Sequence, residues 1–312
     1  MVRRGDLSGF GTLERVTERW PALPLEEWRA TCDTLHAHAQ VVGKIATKLA
    51  PQEPQWQHSA LRLTARGWET APLPAAGGSG SIVVALDLPT REAVVERSSG
   101  ARTRIPLTPH RSVAEVTREL LAAVPVELDL KPQEVAWTTP FDEDEEHATF
   151  EPAHVDRYFA AATGAAQVLA AYRAPYRGRS TPVNAWWGSF DLAVSLFSGR
   201  AAEPPSGDLL MRNAMDSEEI AVGWWPGDDR YPRPAFYAYA HPSPTGFSQG
   251  AFARWDDTLG EYLLDWDDVI TSDDPFSTAV EFARAAARHG CTACGWDGGL
   301  AASVDAVPPP IA

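Results

Sequence analysis

Residues 185–197 read Ala-Trp-Trp-Gly-Ser-Phe-Asp-Leu-Ala-Val-Ser-Leu-Phe, and this alternation is typical of a β-strand with two different faces. One face would pack in the core and carries Trp186, Phe190, Leu192, Val194 and Leu196. The other face carries Trp187, Ser189, Asp191 and Ser195. Burying those polar groups without hydrogen bonds would be unfavourable. The stretch therefore predicts a strand with one core face and one polar, aromatic face.

A second stretch, residues 235–241, repeats this division of faces. Phe236, Ala238 and Ala240 would lie in the core, whereas Tyr237, Tyr239 and His241 share the opposite face. If the polar faces of both strands align, they form a cup of aromatic walls with converging polar groups, as small-molecule sites do. Trp225 and Trp266 are candidates for further walls. The alternatives are the solvent face of a sheet, or a buried hydrogen-bond network that only stabilises the fold.

Outward from these strands, the pattern predicts an α+β fold with largely antiparallel sheets flanked by helices. Each half reads helix, four strands, helix, which suggests two pseudo-repeated α-β4-α halves. In the first half the helices cover 24–50 and 112–123, and the strands cover 58–68, 81–88, 92–98 and 102–107. In the second half the helices cover 152–174 and 277–289, and the strands cover 185–197, 219–225, 235–241 and 261–266. Ser112 and Glu115 predict a capping box.

The same pattern sets the expected boundaries. We predict a leader at 1–20, an N-terminal half at 21–135, a C-terminal half with the cavity at 136–300, and a tail at 301–312, together forming one compact unit. No residue-level repeat relates the halves, so duplication is a hypothesis. Different strand orders in the two halves would contradict it.

Composition narrows the possible partners. The formal net charge of −15 argues against a protein that grips phosphate backbones, so we expect no nucleic acid partner. The sequence has no apolar run long enough for a membrane span and no apolar signal-peptide core, so we expect no membrane partner. Three cysteines are too few for a secreted disulfide framework. These features predict a cytoplasmic protein whose partner is a small molecule.

The acidic stretch Phe141-Asp-Glu-Asp-Glu-Glu-His-Ala-Thr-Phe150 is a second candidate for chemistry. Asp142, Asp144 and His147 could hold a divalent metal, or His147 could act in proton transfer. The alternative, which we favour, is that the negative charge stays solvated and complements the dipole of the following helix. Because no phosphate-cradling or dinucleotide-binding loop is present, we expect no nucleotide cofactor, and we predict no bound cofactor or metal.

Several phrases together resemble a known family: Trp187-Gly-Ser-Phe-Asp-Leu-Ala-Val194, Gly223-Trp-Trp-Pro-Gly227, Pro234-Ala-Phe-Tyr-Ala-Tyr239 and Phe141-Asp-Glu-Asp144 with His147. The chain resembles DUF5996, a bacterial family of unknown function, from about residue 20 to residue 300. The resemblance implies one full-length unit and brings no catalytic residues. Asn184 and Glu218 stand where the family pattern has histidines. If those histidines bind metal in relatives, the resemblance implies weaker metal binding here.

These observations predict an enzyme of bacterial, specialised small-molecule metabolism that uses acid/base chemistry without a cofactor. Asp191, His147 or His241 would transfer a proton, and Tyr237 or Tyr239 would donate a hydrogen bond. Trp187, Ser189, Trp225 and Asp142 would contact the ligand. The alternative is a non-catalytic protein that binds a small ligand or a protein partner through the same aromatic residues.

Overall fold

Two antiparallel sheets, each packed against helices, form the fold in a computed structural model that describes residues 20–75, 80–207 and 209–306. The predicted leader, apart from Trp20, lies outside the described residues. The predicted tail lies outside them from residue 307 onward.

The first half contains two helices and one six-stranded sheet. The helices are α1 (Leu25–Leu49) and α2 (Val113–Ala123). The strands are β1 (Arg62–Thr64), β2 (Gly67–Glu69), β3 (Leu73–Pro74), β4 (Ser81–Asp87), β5 (Glu92–Arg97) and β6 (Arg102–Pro106). They pair in the order β1-β2-β4-β5-β6, and β3 also pairs with β4. A short 3-10 helix, Pro54–Ser59, joins α1 to the sheet.

The second half contains a second six-stranded sheet with the order β7-β8-β9-β10-β12-β11. Its strands are β7 (Asn184–Trp186), β8 (Asp191–Ala201), β9 (Ser217–Trp225), β10 (Ala235–His241), β11 (Arg254–Asp256) and β12 (Glu261–Asp265). Its helices are α3 (Pro152–Arg173), α4 (Leu209–Ala214), α5 (Trp266–Ile270), α6 (Pro275–Ala293) and α7 (Gly298–Ser303). A 3-10 helix spans Phe247–Gln249. The predicted α+β class with antiparallel sheets is confirmed.

In both halves, the segment predicted as a single first strand is a hairpin. Residues 58–68 contain the turn between β1 and β2, and residues 185–197 contain the turn between β7 and β8. The prediction was wrong here because apolar and polar residues keep alternating through each turn. Phe190, expected inside a strand, instead adopts a left-handed backbone with φ of 57°.

The edges of the two sheets meet at one bridge. Leu61 and Ala185 exchange backbone hydrogen bonds of 3.0 and 2.9 Å, which joins the chain before β1 to β7. The four predicted strand regions of each half follow one another in sequence order, whereas β3 in the first sheet and β11 in the second lie outside this common order. Because the strand orders agree, the result does not contradict the duplication hypothesis.

Most buried apolar side chains of both halves form one continuous core, and a small separate cluster around Trp225 and Tyr237 lies on the cavity face of the second sheet. At the centre of the continuous core the ring of Phe190 stacks on Trp68 of β2 and Tyr158 of α3, with ring centroids 4.9 and 5.2 Å apart. Trp68 Nε1 donates to the hydroxyl of Tyr158 at 3.0 Å, so this buried polar pair is satisfied. None of the described helices is long and apolar enough to cross a membrane.

The capping box of α2 is a direct test of the local prediction. Glu115 N donates to Ser112 Oγ at 3.2 Å, and Ser112 N donates to the Glu115 carboxylate at 3.0 Å. We expect Ser112→Ala to lower the free energy of unfolding by about 1 kcal/mol, because the backbone N–H of Glu115 loses its acceptor. Urea denaturation measures the change. Ser99→Ala, in an exposed turn, is the matched control, and equal stabilities of the two variants would contradict the prediction.

Candidate functional site

A cavity of about 910 Å³ opens on the face of the second sheet that points away from α3 and α6. Besides this sheet, its walls come from α1, the 3-10 helix Pro54–Ser59, α4 and the loop 127–134. A volume of this size is typical of small-molecule sites.

The register of the sheet explains which side chains reach the cavity. Directly opposed residues share a face, so Ala193, Gly223 and Tyr237 form one row across β8, β9 and β10. Ser195, Ala221 and Tyr239 form the next row. The small residues on β8 and β9 leave space above the sheet, and the tyrosines of β10 fill one side of it. The predicted division of β10 into a core face and an aromatic face therefore agrees with the structure.

Asp191 is the most buried carboxylate of the cavity, with 4% of its surface exposed. Ser189 Oγ donates to it at 2.5 Å, and the hydroxyl of Tyr237 donates to its second oxygen. Burial raises the pKa of Asp191 to about 6, although both hydrogen bonds favour the ionised form and limit the rise. Sequence reasoning thus found a group that titrates close to neutral pH.

Tyr237 reaches Asp191 only because Gly223 lies between them. Tyr237 is on β10 and Asp191 begins β8, with β9 in the middle. A Cβ atom on Gly223 would lie 2.3 Å from Cζ of Tyr237, which is closer than real contacts allow. The missing side chain therefore permits a phenol–carboxylate pair across two strand spacings.

A second phenol–carboxylate pair lies farther along the same face. The hydroxyl of Tyr239 lies 3.4 Å from the carboxylate of Glu219, and the Tyr237 and Tyr239 rings are parallel within 3°. Burial raises the pKa of Glu219 to about 7, against the hydrogen bonds from Ser195 and Tyr239. His241 faces Glu219 in the strand register and also lines the cavity.

Of the seven acidic residues that line the cavity, sequence reasoning found only Asp191, and those it missed include Glu219, Glu261 and Glu134. Burial, and then the charge of Asp191, raises the pKa of Glu261 to about 7. Glu134 is exposed at the cavity mouth beside Gly188, where a Cβ atom would come within 2.4 Å of its carboxylate. For Glu219 a signal existed, since Glu219, Ala221, Gly223 and Trp225 alternate on one face of β9. For Glu134, in a loop, the sequence contains no such signal.

The turn that carries Ser189 is held by α1. His36 Nε2 donates to the carbonyl oxygens of Trp187 and Gly188, at 3.0 and 2.9 Å. Burial lowers the pKa of His36 to about 4, so the ring is neutral near pH 7, and its contacts with two carbonyl oxygens assign its proton to Nε2. The Trp187 indole lies directly against Gly43, where a Cβ atom would be only 2.0 Å away. Its Nε1 donates to the Ser59 carbonyl at 3.1 Å, which leaves the indole fixed at the cavity wall.

One helical turn along α1, Gln40 holds the second loop of the cavity. Its side-chain amide donates to the Gln133 carbonyl at 2.8 Å and accepts from the Gln133 N–H at 2.9 Å. The next residue, Glu134, has a left-handed backbone with φ of 58°. Through this pair α1 presents Glu134 at the cavity mouth.

Two predicted site residues, Asp142 and His147, do not line the cavity. His147 Nδ1 lies 2.7 Å from the buried carboxylate of Asp144, and its ring packs against Trp137 at 4.7 Å. The Asp142 carbonyl accepts hydrogen bonds from Arg118. The segment packs against the start of α2, where Val113 N donates to the His147 carbonyl. Asp142 and His147 are thus part of a capping structure, and the loop does not form the edge of the cavity.

The remaining candidates divide between cavity and core. Trp225 lines the cavity with its ring 5.4 Å from Tyr237. The suggestion of Trp266 as a wall was wrong, because β12 ends at Asp265 and the indole is fully buried against Trp20 and Trp224.

Asn184 and Glu218, the two positions where the family pattern has histidines, each take part in a hydrogen-bond network. Asn184 is fully buried, accepts from Arg62 at 2.5 Å and donates to Gln57 at 3.0 Å. Glu218 accepts from Ser198 at 2.9 Å and from Arg200 at 2.6 Å. Within the described ranges, no three His, Cys, Asp or Glu side chains come together as a group that could hold a metal ion.

A model of a family of unknown function, DUF5996, matches residues 20–303. No curated protein and no solved structure matches the chain.

We expect Gly223→Ala to lower the free energy of unfolding by about 1–3 kcal/mol, because its methyl group and the Tyr237 ring cannot occupy the same space. In a Tyr237→Ala background the same change should be nearly neutral, and a double-mutant cycle by urea denaturation measures this coupling. Gly298→Ala, where no described atom lies within 4 Å of the new Cβ, is the control. Equal effects of Gly223→Ala in both backgrounds would contradict the assigned contact.

Asp191 should make stability depend on pH. Its pKa is higher in the folded protein, about 6 against 3.8, so the folded state binds more protons between these values. Stability is therefore lost as pH rises from about 4 to about 7, and we expect wild type to lose about 3 kcal/mol more than Asp191→Asn over this range. Urea denaturation at several pH values measures the difference. Asp268→Asn, at an exposed position, should follow wild type, and parallel curves for Asp191→Asn and wild type would contradict the prediction.

Proposed function

The chain belongs to DUF5996, a family of unknown function, and we propose that it is a small-molecule enzyme that performs acid/base chemistry in the cavity of the second sheet. The observation that carries this proposal is the pair of phenol–carboxylate contacts, Tyr237 with Asp191 and Tyr239 with Glu219, on one face of a cavity. We further propose that it acts in the cytoplasm, in bacterial metabolism.

The pKa values suit proton transfer near neutral pH. General acids and bases work best when their pKa lies near the working pH. The values of about 6 for Asp191 and about 7 for Glu219 meet this condition. Two carboxyl groups in different environments can then hold opposite protonation states, as acid and base require.

We assign Asp191 as the general base. At neutral pH it is mostly ionised, and Ser189 and Tyr237 fix the orientation of its carboxylate. Glu219 is the matching general acid, because about half of its molecules keep their proton near pH 7. Tyr239 orients Glu219, while His241 and Glu261 are secondary candidates for proton transfer at the same surface. Trp187 and Trp225 supply the walls that exclude water and position the substrate.

The test is conversion of small molecules from a bacterial metabolite extract, followed by mass spectrometry. Wild type should deplete one group of compounds and form another. We expect Asp191→Asn and Glu219→Gln to slow this conversion by about 100-fold or more, the usual contribution of one acid/base group. Asp268→Asn and Glu26→Gln, at exposed positions, are matched controls that should retain wild-type rates.

The pH profile gives a second readout. The rate should rise as Asp191 ionises and fall as Glu219 loses its proton, so the optimum lies between about pH 6 and pH 7. Wild-type rates in both carboxylate variants would contradict the assignment. Retention of a compound without any conversion would favour the alternative, a non-catalytic binding protein.

A further inference from the structure

We propose that the ligand of this cavity is a linear organic cation with at least two amino groups. The inference names a ligand class for the proposed function and rests on it for the choice of the site. Its argument comes from the charges of the cavity, the hydrogen-bond donors in it and the spacing of its two phenol–carboxylate pairs.

The described lining of the cavity is strongly anionic, with seven carboxylates against three cationic side chains. Arg179 and Arg230 act on Glu219 and Glu261 only through their charge, and the Arg179 guanidinium donates to Gln55 instead. Lys48 and Arg230 are exposed, and Arg230 is bound to Asp228 through contacts of 2.9 and 2.7 Å. The Lys44 ammonium lies 5.5 Å from the centre of the Trp187 ring and near the charge of Asp129. Asp191, Glu219 and Glu261 thus face the cavity without a cationic side chain bonded to them.

The hydrogen-bond donors near these carboxylates are already used. The hydroxyl groups of Ser189 and Tyr237 donate to Asp191, and that of Tyr239 donates to Glu219. A carboxylate accepts about four hydrogen bonds, so both acidic groups keep free acceptor sites. The cavity therefore offers acceptors, and a complementary ligand must bring N–H or O–H donors. A positively charged donor fits best, because it also compensates the buried negative charge.

The two phenol–carboxylate pairs lie next to each other on the sheet face of the cavity. Asp191 precedes Leu192, the partner of Trp224, whereas Glu219 lies near the start of β9. Trp225, next to the level of Asp191, is six residues from Glu219 along β9, but the hydroxyl groups that contact the two carboxylates belong to tyrosines only two residues apart on β10. Between them the Tyr237 and Tyr239 rings stand parallel with centroids 6.3 Å apart. Two ammonium groups joined by an alkyl chain would match this arrangement.

His241 gives independent support at the Glu219 end. Its Nε2 is buried and has no hydrogen-bond partner among the described residues. Buried polar atoms without a partner are rare and call for an explanation. His241 lines the cavity opposite Glu219, and a rotation of its ring toward that carboxylate would let the nitrogen accept a hydrogen bond from the same ammonium group.

The experiment is isothermal titration calorimetry of the full chain with spermidine as the probe. We expect binding that releases protons near pH 6.5, because the cation stabilises the ionised carboxylates, and buffers of different ionisation enthalpy measure this release. Asp191→Asn and Glu219→Gln should each weaken binding by about tenfold or more. Butylamine, with one amino group, should bind at least about tenfold more weakly, and adipate should not bind. Asp268→Asn is the matched control, and circular dichroism verifies that each variant is folded.

No spermidine binding to folded wild type would overturn the inference, as would equal affinities of wild type and both folded carboxylate variants. Equal affinities for butylamine and spermidine would overturn the requirement for two amino groups. The proposed function is tested separately. Conversion of extract compounds that depends on Asp191 would uphold it even without spermidine binding, whereas spermidine binding without any conversion would uphold the ligand class alone.

Discussion

The backbone of Phe190 is the constraint on which the site depends. This residue has a left-handed conformation, with φ of 57°, that is unfavourable for a bulky side chain. The stacking of its ring on Trp68, Tyr158 and His36 in the core stabilises it there. With the ring anchored, the neighbouring residue Asp191 starts β8 with its side chain on the opposite, cavity-facing side. A core contact between both halves of the chain thus determines where the principal carboxylate lies.

Helix α1 extends this constraint to the cavity mouth. His36 fixes the turn before Phe190 through two backbone carbonyls, and Gln40 fixes the loop before Glu134 through the backbone N–H and carbonyl of Gln133. Loops usually position polar groups loosely, since few contacts hold them. Here side chains of one long helix hold both loops, so the acidic groups are preorganised before any ligand arrives.

The sequence predicted what depends on periodicity and not what depends on turns. Alternation in 235–241 identified the correct faces, and the capping pair Ser112 and Glu115 identified the start of α2. The same alternation concealed the turn at 187–190, because a left-handed Phe190 leaves no local signature. The prediction of His147 as a catalytic residue failed for a different reason. A histidine among acidic residues is a pattern typical of proton transfer, and only the tertiary packing shows that His147 belongs to the segment that caps α2. The position of Glu134 could not be predicted from the sequence. It depends on the hydrogen bond between the preceding residue, Gln133, and Gln40, which is 93 positions away in the chain.

The bridge between Leu61 and Ala185 has a consequence for the integrity of the chain. Each sheet has a short strand at this edge, β1 in the first sheet and β7 in the second. Without the bridge, the unpaired N–H and C=O groups of these strands would be free to pair with another molecule. At the bridge, the edge of each sheet hydrogen-bonds with the edge of the other. Separated halves would expose both edges together with the aromatic rings around Phe190, which is the combination that promotes intermolecular β-aggregation. Pairing of the two sheet edges within one chain therefore opposes pairing of either edge with another molecule.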